Sequence, residues 1–204
     1  MTDPSLPELA ARIRAMSHRG TRRLVALVGP PASGKSTLAA QLADTLGPAA
    51  RVVPMDGFHL DNTILEARGL LPRKGAPETF DAAGFRHLCA RLASEPEVIY
   101  PTFDRGRDIA IAGSGRLGPD CDTVVVEGNY LLLDDPAWRD LHPLWDVSIW
   151  LDVDLAEIER RLMERWRIHG LDEATARART GENDLPNARL IRDRSVPATL
   201  TLRR

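Results

Sequence analysis

The nine residues GPPASGKST, Gly29 to Thr37, decide how the rest of the chain is read. Their spacing, G-x-x-x-x-G-K-[ST], is that of a loop that wraps phosphate, the P-loop. Glycines at Gly29 and Gly34 allow backbone angles that a side chain forbids, so the loop can curl round an anion. Consecutive backbone N–H groups then point inward as a nest for phosphate oxygens. A helix opening at about Lys35 adds the positive end of its dipole to the same place. Gly29, Pro30, Pro31, Ala32, Ser33, Gly34, Lys35, Ser36 and Thr37 are therefore the expected nucleotide contacts. Lys35 is placed to reach the β- and γ-phosphates, and Ser36 to offer its hydroxyl to a magnesium ion. The flanks agree. Leu24-Val25-Ala26-Leu27-Val28 is an apolar run of buried-strand type, and Leu38 to Ala43 is helix-forming. The chain's two lysines are Lys35 and Lys74, among 27 Lys and Arg residues. A sequence that otherwise takes its positive charge from Arg keeps Lys where a compact point charge is wanted.

Composition bounds the remainder. At 204 residues the chain is expected to form one domain, residues 1–204, and a hydrophobic fraction of 43% suffices for a sizeable core. A net charge of −2 gives no global field toward nucleic acid or membrane. No apolar run approaches a membrane span, and the N-terminal region lacks an apolar signal core. Cys89 and Cys121 make neither a disulfide framework nor a metal pattern. A cytoplasmic protein is expected, a monomer or a homodimer.

Along the chain, residues 5–18 carry Leu6, Leu9, Ile13 and Met16 at helical spacing, a stripe to pack on the core. Arg12, Arg14, Arg19, Arg22 and Arg23 beside it read as a solvated face. Arg51 to Met55 reads as a second strand ending at Asp56-Gly57-Phe58-His59, followed by a helix over about 61–68. Residues 69–80 read as a loop long enough to be functional. Asp81 is an N-cap for a helix to about Ala93. Val98-Ile99-Tyr100 reads as a third strand running into Pro101 to Arg105, with another short strand near 109–112. Thr123 to Glu127 is a β-branched run without polar alternation, the mark of a strand buried on both faces of a parallel sheet. Val147 to Asp152 is the next strand. Asp154 and Glu157 resemble a capping box for a helix to about His169, closed by Gly170. Two helical pieces interrupted near Gly181 and Pro186 follow, then a last strand within 196–202. Alternating strands and helices imply an α/β fold of P-loop NTPase type: three layers, a mainly parallel central sheet, and a helical lid. In such sheets ligands sit beyond the carboxyl ends of the strands. Here those ends carry the P-loop, Asp56, Asp104 with Arg105, Glu127 and Asp152.

Phosphoryl transfer asks for a phosphate cradle, a metal, positive charge at the moving group and something to orient the attacking hydroxyl. Asp56, at a strand end, is the candidate for the last role, and Gly57 is expected to let a ligand come close. A plain Asp-Gly turn is the ordinary alternative. Glu127 ends an apolar strand beside the P-loop and is the candidate to hold magnesium, directly or through water. Its ordinary alternative is a helix-capping glutamate. Arg160, Arg161, Arg165 and Arg167 crowd one helix, with Arg161 and Arg165 on one face. They suggest a lid over about 160–181 that stabilises charge on the transferring group. Salt bridging such as Glu157 to Arg161 is the bland alternative.

The chain resembles the phosphoribulokinase/uridine kinase family of P-loop kinases over most of residues 22–195. The stretch DGFHLDNTILEARGLLPRKGAPETFD is similar to the pantothenate-kinase branch, VVVEGNYLLLDD to the family's strand-Glu-Gly segment, and PTFDR, EGNYLL and NDLPNARLI to bacterial fructose-transport-system kinases. The resemblance implies ATP as donor, Asp56 as base, Arg161 and Arg165 as lid arginines, and adenine-side contacts from Asn183 and Asn187. Where pantothenate and uridine kinases carry other residues, with a histidine, this chain has Phe103-Asp104-Arg105, and no histidine follows until His142. Asp104 suits the hydroxyls of a polyol and Arg105 an acidic group. The acceptor pocket is expected from Asp56, His59, Lys74, Phe80, Asp104, Arg105 and Asn129.

The expected protein is thus an ATP- and magnesium-dependent kinase of a sugar or sugar-like hydroxyl compound, fructose-type favoured. A uridine or pantothenate kinase, or a non-catalytic ATP-binding regulator, are the alternatives. The guanine-reading motif N-K-x-D is missing, since the other lysine stands in Arg73-Lys74-Gly75-Ala76.

Overall fold

The apolar runs pair with one another. In the computed structural model, which describes residues 3–204, Arg23–Val28 (β1) lies between Thr123–Gly128 (β5) and Val147–Asp152 (β6). Ala50–Pro54 (β2) flanks β5, and Leu200–Arg203 (β7) flanks β6. The order is β2-β5-β1-β6-β7 and every pair is parallel. Every residue of β5 is buried, as a strand covered on both faces demands.

Side chains alternate across this sheet and build two cores. Leu24, Ala26 and Val28 join Val124, Val126, Trp138 and the helix Ala82–Ser94 (α4) on one face. Val25, Leu27 and Val125 join the helices Leu6–Ala15 (α1), Lys35–Leu46 (α2) and Leu155–Ile168 (α5) on the other. The three layers and the parallel sheet agree with the sequence.

Four readings are corrected. The strand Val98–Asp104 (β3) does not enter the parallel sheet. It pairs antiparallel with Ile109–Leu117 (β4) in a separate hairpin. Pro101 explains this: it has no N–H to give a central ladder, and a register shift falls beside it, between Tyr100 and Thr102. Arg22 is not part of a solvated face. It is 2% exposed, and its guanidinium donates to the carbonyls of Leu92, Glu95, Pro96, Gly118 and Cys121, one for each of its five N–H groups. It ties the end of α4 to the entry of β5, and the carbonyls at a helix C-terminus favour the positive charge. Asp154 caps α5 through Ala156 N, while Glu157 turns to Arg160 and Arg161 instead of closing a box. Finally, helix Glu173–Arg179 (α6) and helix Leu185–Arg194 (α7) are the two pieces expected, but what separates them is a π-turn over Thr180–Asp184, which holds Gly181, and not a break in the helical course. Pro186 lies within the first turn of α7 and makes no separate interruption.

The helix Asn62–Ala67 (α3), capped by Asp61, and three 3₁₀ turns occupy the segment between β2 and α4. No helix among the described residues is long and apolar enough to cross a membrane.

Candidate active site

Parallel pairing fixes what meets at the carboxyl edge of the sheet. Leu27 lies opposite Glu127 and Pro54 opposite Glu127 on the other side, so the P-loop, Glu127 and Asp56 follow from adjacent strands. They open on one cavity of about 650 Å³.

On the phosphate side, Gly34 takes φ 92° as the N-cap of α2, and a Cβ added there would meet nothing within 4 Å, so this face is open to the cavity. Gly29 does not need such an angle. It is required by crowding, since a Cβ there would stand 2.9 Å from Ser33 Oγ and 3.0 Å from the Leu151 carbonyl oxygen. Lys35 is buried and donates from Nζ to the Pro30 carbonyl at 2.8 Å. Burial lowers its pKa to about 8 against the opposing pull of Glu127 and Asp56. The Ser36 hydroxyl donates to Glu127 Oε1 at 3.0 Å, and burial raises the Glu127 pKa. A hydroxyl and a carboxylate side by side at the foot of a phosphate cradle are the hard oxygen donors that magnesium takes, with phosphate and water completing its shell. Pro31, Ala32, Gly34, Lys35, Ser36 and Thr37 line the cavity, whereas Gly29, Pro30 and Ser33 support it from behind.

The acceptor side is assembled from pieces. Asp56 stands in the 3₁₀ turn Met55–Phe58, and Arg105 Nη2 donates to its Oδ2 at 2.6 Å. Gly57 was expected to admit a ligand, but what approaches is backbone: a Cβ there would come within 2.3 Å of the Pro101 carbonyl oxygen. Glycine thus lets the β3–β4 hairpin lie against the Asp56 turn. His59 is held between Phe80 and Phe103, with ring centroids at 4.1 and 4.6 Å. Its Nδ1 is 2.8 Å from the Asp56 carbonyl, so Nδ1 carries the proton and Nε2 the lone pair. Burial holds its pKa below the ordinary histidine value, and the ring is neutral.

Lys74 lines the cavity as expected. Its ammonium spends all three donors inside the protein, on Asn62 Oδ1 at 2.7 Å, the Asp108 carbonyl at 2.7 Å and the Asp108 carboxylate at 2.8 Å. Asp104 was expected beside it. Its carboxylate accepts from the N–H groups of Gly106 and Arg107, caps the hairpin turn, and does not line the cavity. Asp108, the last residue of that turn and at φ 56°, lines the cavity instead. Phe80, Arg105 and Asn129 line it as expected.

The lid differs in detail from its reading. Arg165 lines the cavity, but Arg161 does not. Arg161 bonds Glu157 at 2.7 Å and the Ser33 carbonyl at 3.2 Å, holding α5 to the back of the P-loop. The second lid arginine at the cavity is Arg179. Arg165 and Arg179 flank Trp166, at 5.3 and 4.5 Å from the ring centroid, and Trp166 Nε1 donates to Asp184 Oδ2 at 2.8 Å. A tryptophan amid arginines on an otherwise polar helix was the available signal for this cluster. Asn183 and Asn187 were expected on the adenine side. Both are buried; Asn187 lines the cavity and Asn183 does not. Asn187 donates to Asn183, and Asn183 donates to the Lys74 carbonyl, which braces the loop carrying Lys74.

A phosphate cradle on the first strand, an acidic strand end beside it and an arginine-bearing helical lid across the cavity define a P-loop kinase. No protein-family model matches the chain. It is 37% identical over 185 residues to the Escherichia coli protein YggC, covering 88% of this chain and 76% of that one. It is 32% identical over 214 residues to "Putative uridine kinase C227.14" of Schizosaccharomyces pombe, covering 97% of this chain and 90% of that protein. The crystal structure of a "putative fructose transport system kinase" from Silicibacter sp. TM1040 superposes with a TM-score of 0.93 at 54% identity, over 98% of this chain and all of that one. The chain belongs to the phosphoribulokinase/uridine kinase family of P-loop kinases, and is an ATP-dependent kinase.

Proposed function

We propose that the protein transfers the γ-phosphoryl group of ATP to a hydroxyl of a sugar or sugar-like acceptor, fructose-type. The observation that carries this reading is the juxtaposition of Asp56 with an aromatic and polar acceptor wall inside the cavity that also holds the P-loop. Phe80 and Phe103 fix the His59 ring between them, and its Nε2 offers one acceptor to a hydroxyl. Magnesium, held by Ser36 and Glu127, would neutralise phosphate charge. Asp56 orients the acceptor hydroxyl and takes its proton while the oxygen attacks the γ-phosphorus and ADP leaves. Lys35, Arg165 and Arg179 supply fixed positive charge where it is needed in the transition state. Arg161 keeps the lid helix in register with the loop through Ser33.

The test is ADP release by the purified protein with ATP, magnesium and a panel of sugars, uridine and pantothenate. Turnover of a sugar is expected. Turnover confined to uridine or pantothenate overturns the sugar assignment, and ATP binding without transfer to any acceptor points to a regulator.

A further inference from the structure

The base is covered. Asp56 Oδ2 accepts a charge-assisted hydrogen bond of 2.6 Å from Arg105, and an acceptor hydroxyl must compete with that guanidinium for the carboxylate. Arg105 sits where β3 turns toward β4, with its side chain 53% exposed, and among the described residues it makes no other hydrogen bond. Most of its planar fork of donors is therefore free, facing the cavity.

The other basic groups of the cavity are engaged or lie on other walls. Lys74 has no donor left. His59 presents a lone pair and not a proton. Lys35 belongs to the phosphate cradle. Arg165 and Arg179, against Trp166, and His169 belong to the lid side. Arg105 alone projects from the acceptor wall, one residue from the Asp104 turn cap and two from Phe103.

We infer that Arg105 determines acceptor specificity: it receives an oxyanion carried by the same molecule that presents the hydroxyl. Moving onto that oxyanion releases Asp56, so the base is uncovered only when a molecule bearing both groups is seated. This rests on the kinase reading of the site and narrows its acceptor to a sugar bearing a carboxylate or a phosphate. A guanidinium pairs with either in a bidentate geometry, so the source is settled by experiment.

The experiment is calorimetric titration of the full-length protein, saturated with magnesium and a non-hydrolysable ATP analogue. The probes are fructose against fructose 1-phosphate and fructose 6-phosphate, and glucose against gluconate. At least one charged member should bind about 10-fold or more tighter than its neutral partner, the gain expected of a charge-assisted pair. Whether that member carries phosphate or carboxylate names the source. Arg105→Gln should erase the advantage and Arg105→Lys retain part of it, with the analogue's own affinity unchanged. The inference is overturned if no charged member binds tighter than its partner, or if the advantage survives Arg105→Gln. It is equally overturned if Arg105→Gln weakens the analogue instead, since Arg105 then serves the γ-phosphate. The kinase reading fails separately, by the absence of ADP release with every acceptor, neutral or charged.

Discussion

The two walls of the cavity are built by different means. The phosphate wall is backbone on rigid support: β1, β5 and α2 are consecutive or adjacent elements, and Val25 to Val28 and Val124 to Val126 are wholly buried. The acceptor wall rests on the separate β3–β4 hairpin and on loops, outside the parallel sheet. The loop carrying Lys74 and Gly75 is held by side chains from three distant places. Tyr130 donates its hydroxyl to the Gly75 carbonyl, Asn183 donates to the Lys74 carbonyl, and Lys74 itself grips Asn62 and Asp108. A loop clasped this way can change its acceptor contacts by a few substitutions while the cradle stays as it is. This is how one fold serves different acceptors.

The contrast predicts which variants harm which substrate. The largest loss is expected from Asp56→Asn, which keeps shape but cannot take a proton. It should cost about 10²–10⁴-fold in kcat with ATP affinity nearly intact. Full kcat in this variant would move the base elsewhere, with Glu127 the next residue to change. Lys35→Ala strikes the other wall, and a loss of about 10²–10³-fold in turnover with weakened ATP binding is expected. Unchanged ATP affinity by calorimetry and unchanged turnover together would remove the phosphate assignment.

The lid should divide along the same line. Arg165→Gln and Arg179→Gln are each expected to lower kcat by about 10–10²-fold, and Arg161→Gln by less, because Arg161 faces the back of the P-loop and not the cavity. Equal losses at Arg161 and Arg179 would undo that distinction. Hydrogen exchange over residues 160–181 should also slow when an ATP analogue and acceptor are both bound. Lys74→Met tests the clasp. It should raise acceptor KM more than ATP KM and lower Tm by a few degrees. Breaking a pair with one buried and one largely exposed partner costs about 1–2 kcal/mol. An effect on ATP alone would place Lys74 on the wrong wall.

The smallest effect concerns His59. Its folded pKa lies below the ordinary 6.5, chiefly because burial disfavours the charged ring. As pH falls through 6.5 the unfolded chain takes up a proton that the folded chain does not, so stability drops with falling pH in that window. Replacing His59 with Gln should flatten the decline, as read from urea midpoints between pH 7 and 5. A decline of equal slope in both proteins assigns it to other groups.

Legibility in the sequence follows the same division of walls. The P-loop, Glu127 and the buried strands of the parallel sheet were readable because each is a local pattern: a fixed spacing, or a β-branched run that only a doubly covered strand tolerates. Val98 to Tyr100 also reads as a strand, but which strand it joins is a question of pairing, and the pairing is antiparallel with β4. Asp104 and Asp108 show the limit most sharply. Both are aspartates of one hairpin, and the geometry of the turn decides that one caps backbone while the other lines the cavity. Arg161 and Arg179 likewise exchange places, because helical spacing gives the face of α5 but not where α6 returns.

By itself, then, the sequence determined the α/β fold, the phosphate cradle, Asp56 and Glu127 at strand ends, and an arginine-rich lid, since short-range periodicity and backbone chemistry specify each of these. The tertiary structure alone decided that Lys74 is a clasp, that Arg105 covers Asp56, and that Arg179 and Trp166 belong to the lid's inner face. Those roles depend on hydrogen bonds and ring contacts between residues far apart in the chain, and no local pattern fixes which distant partner a side chain will find.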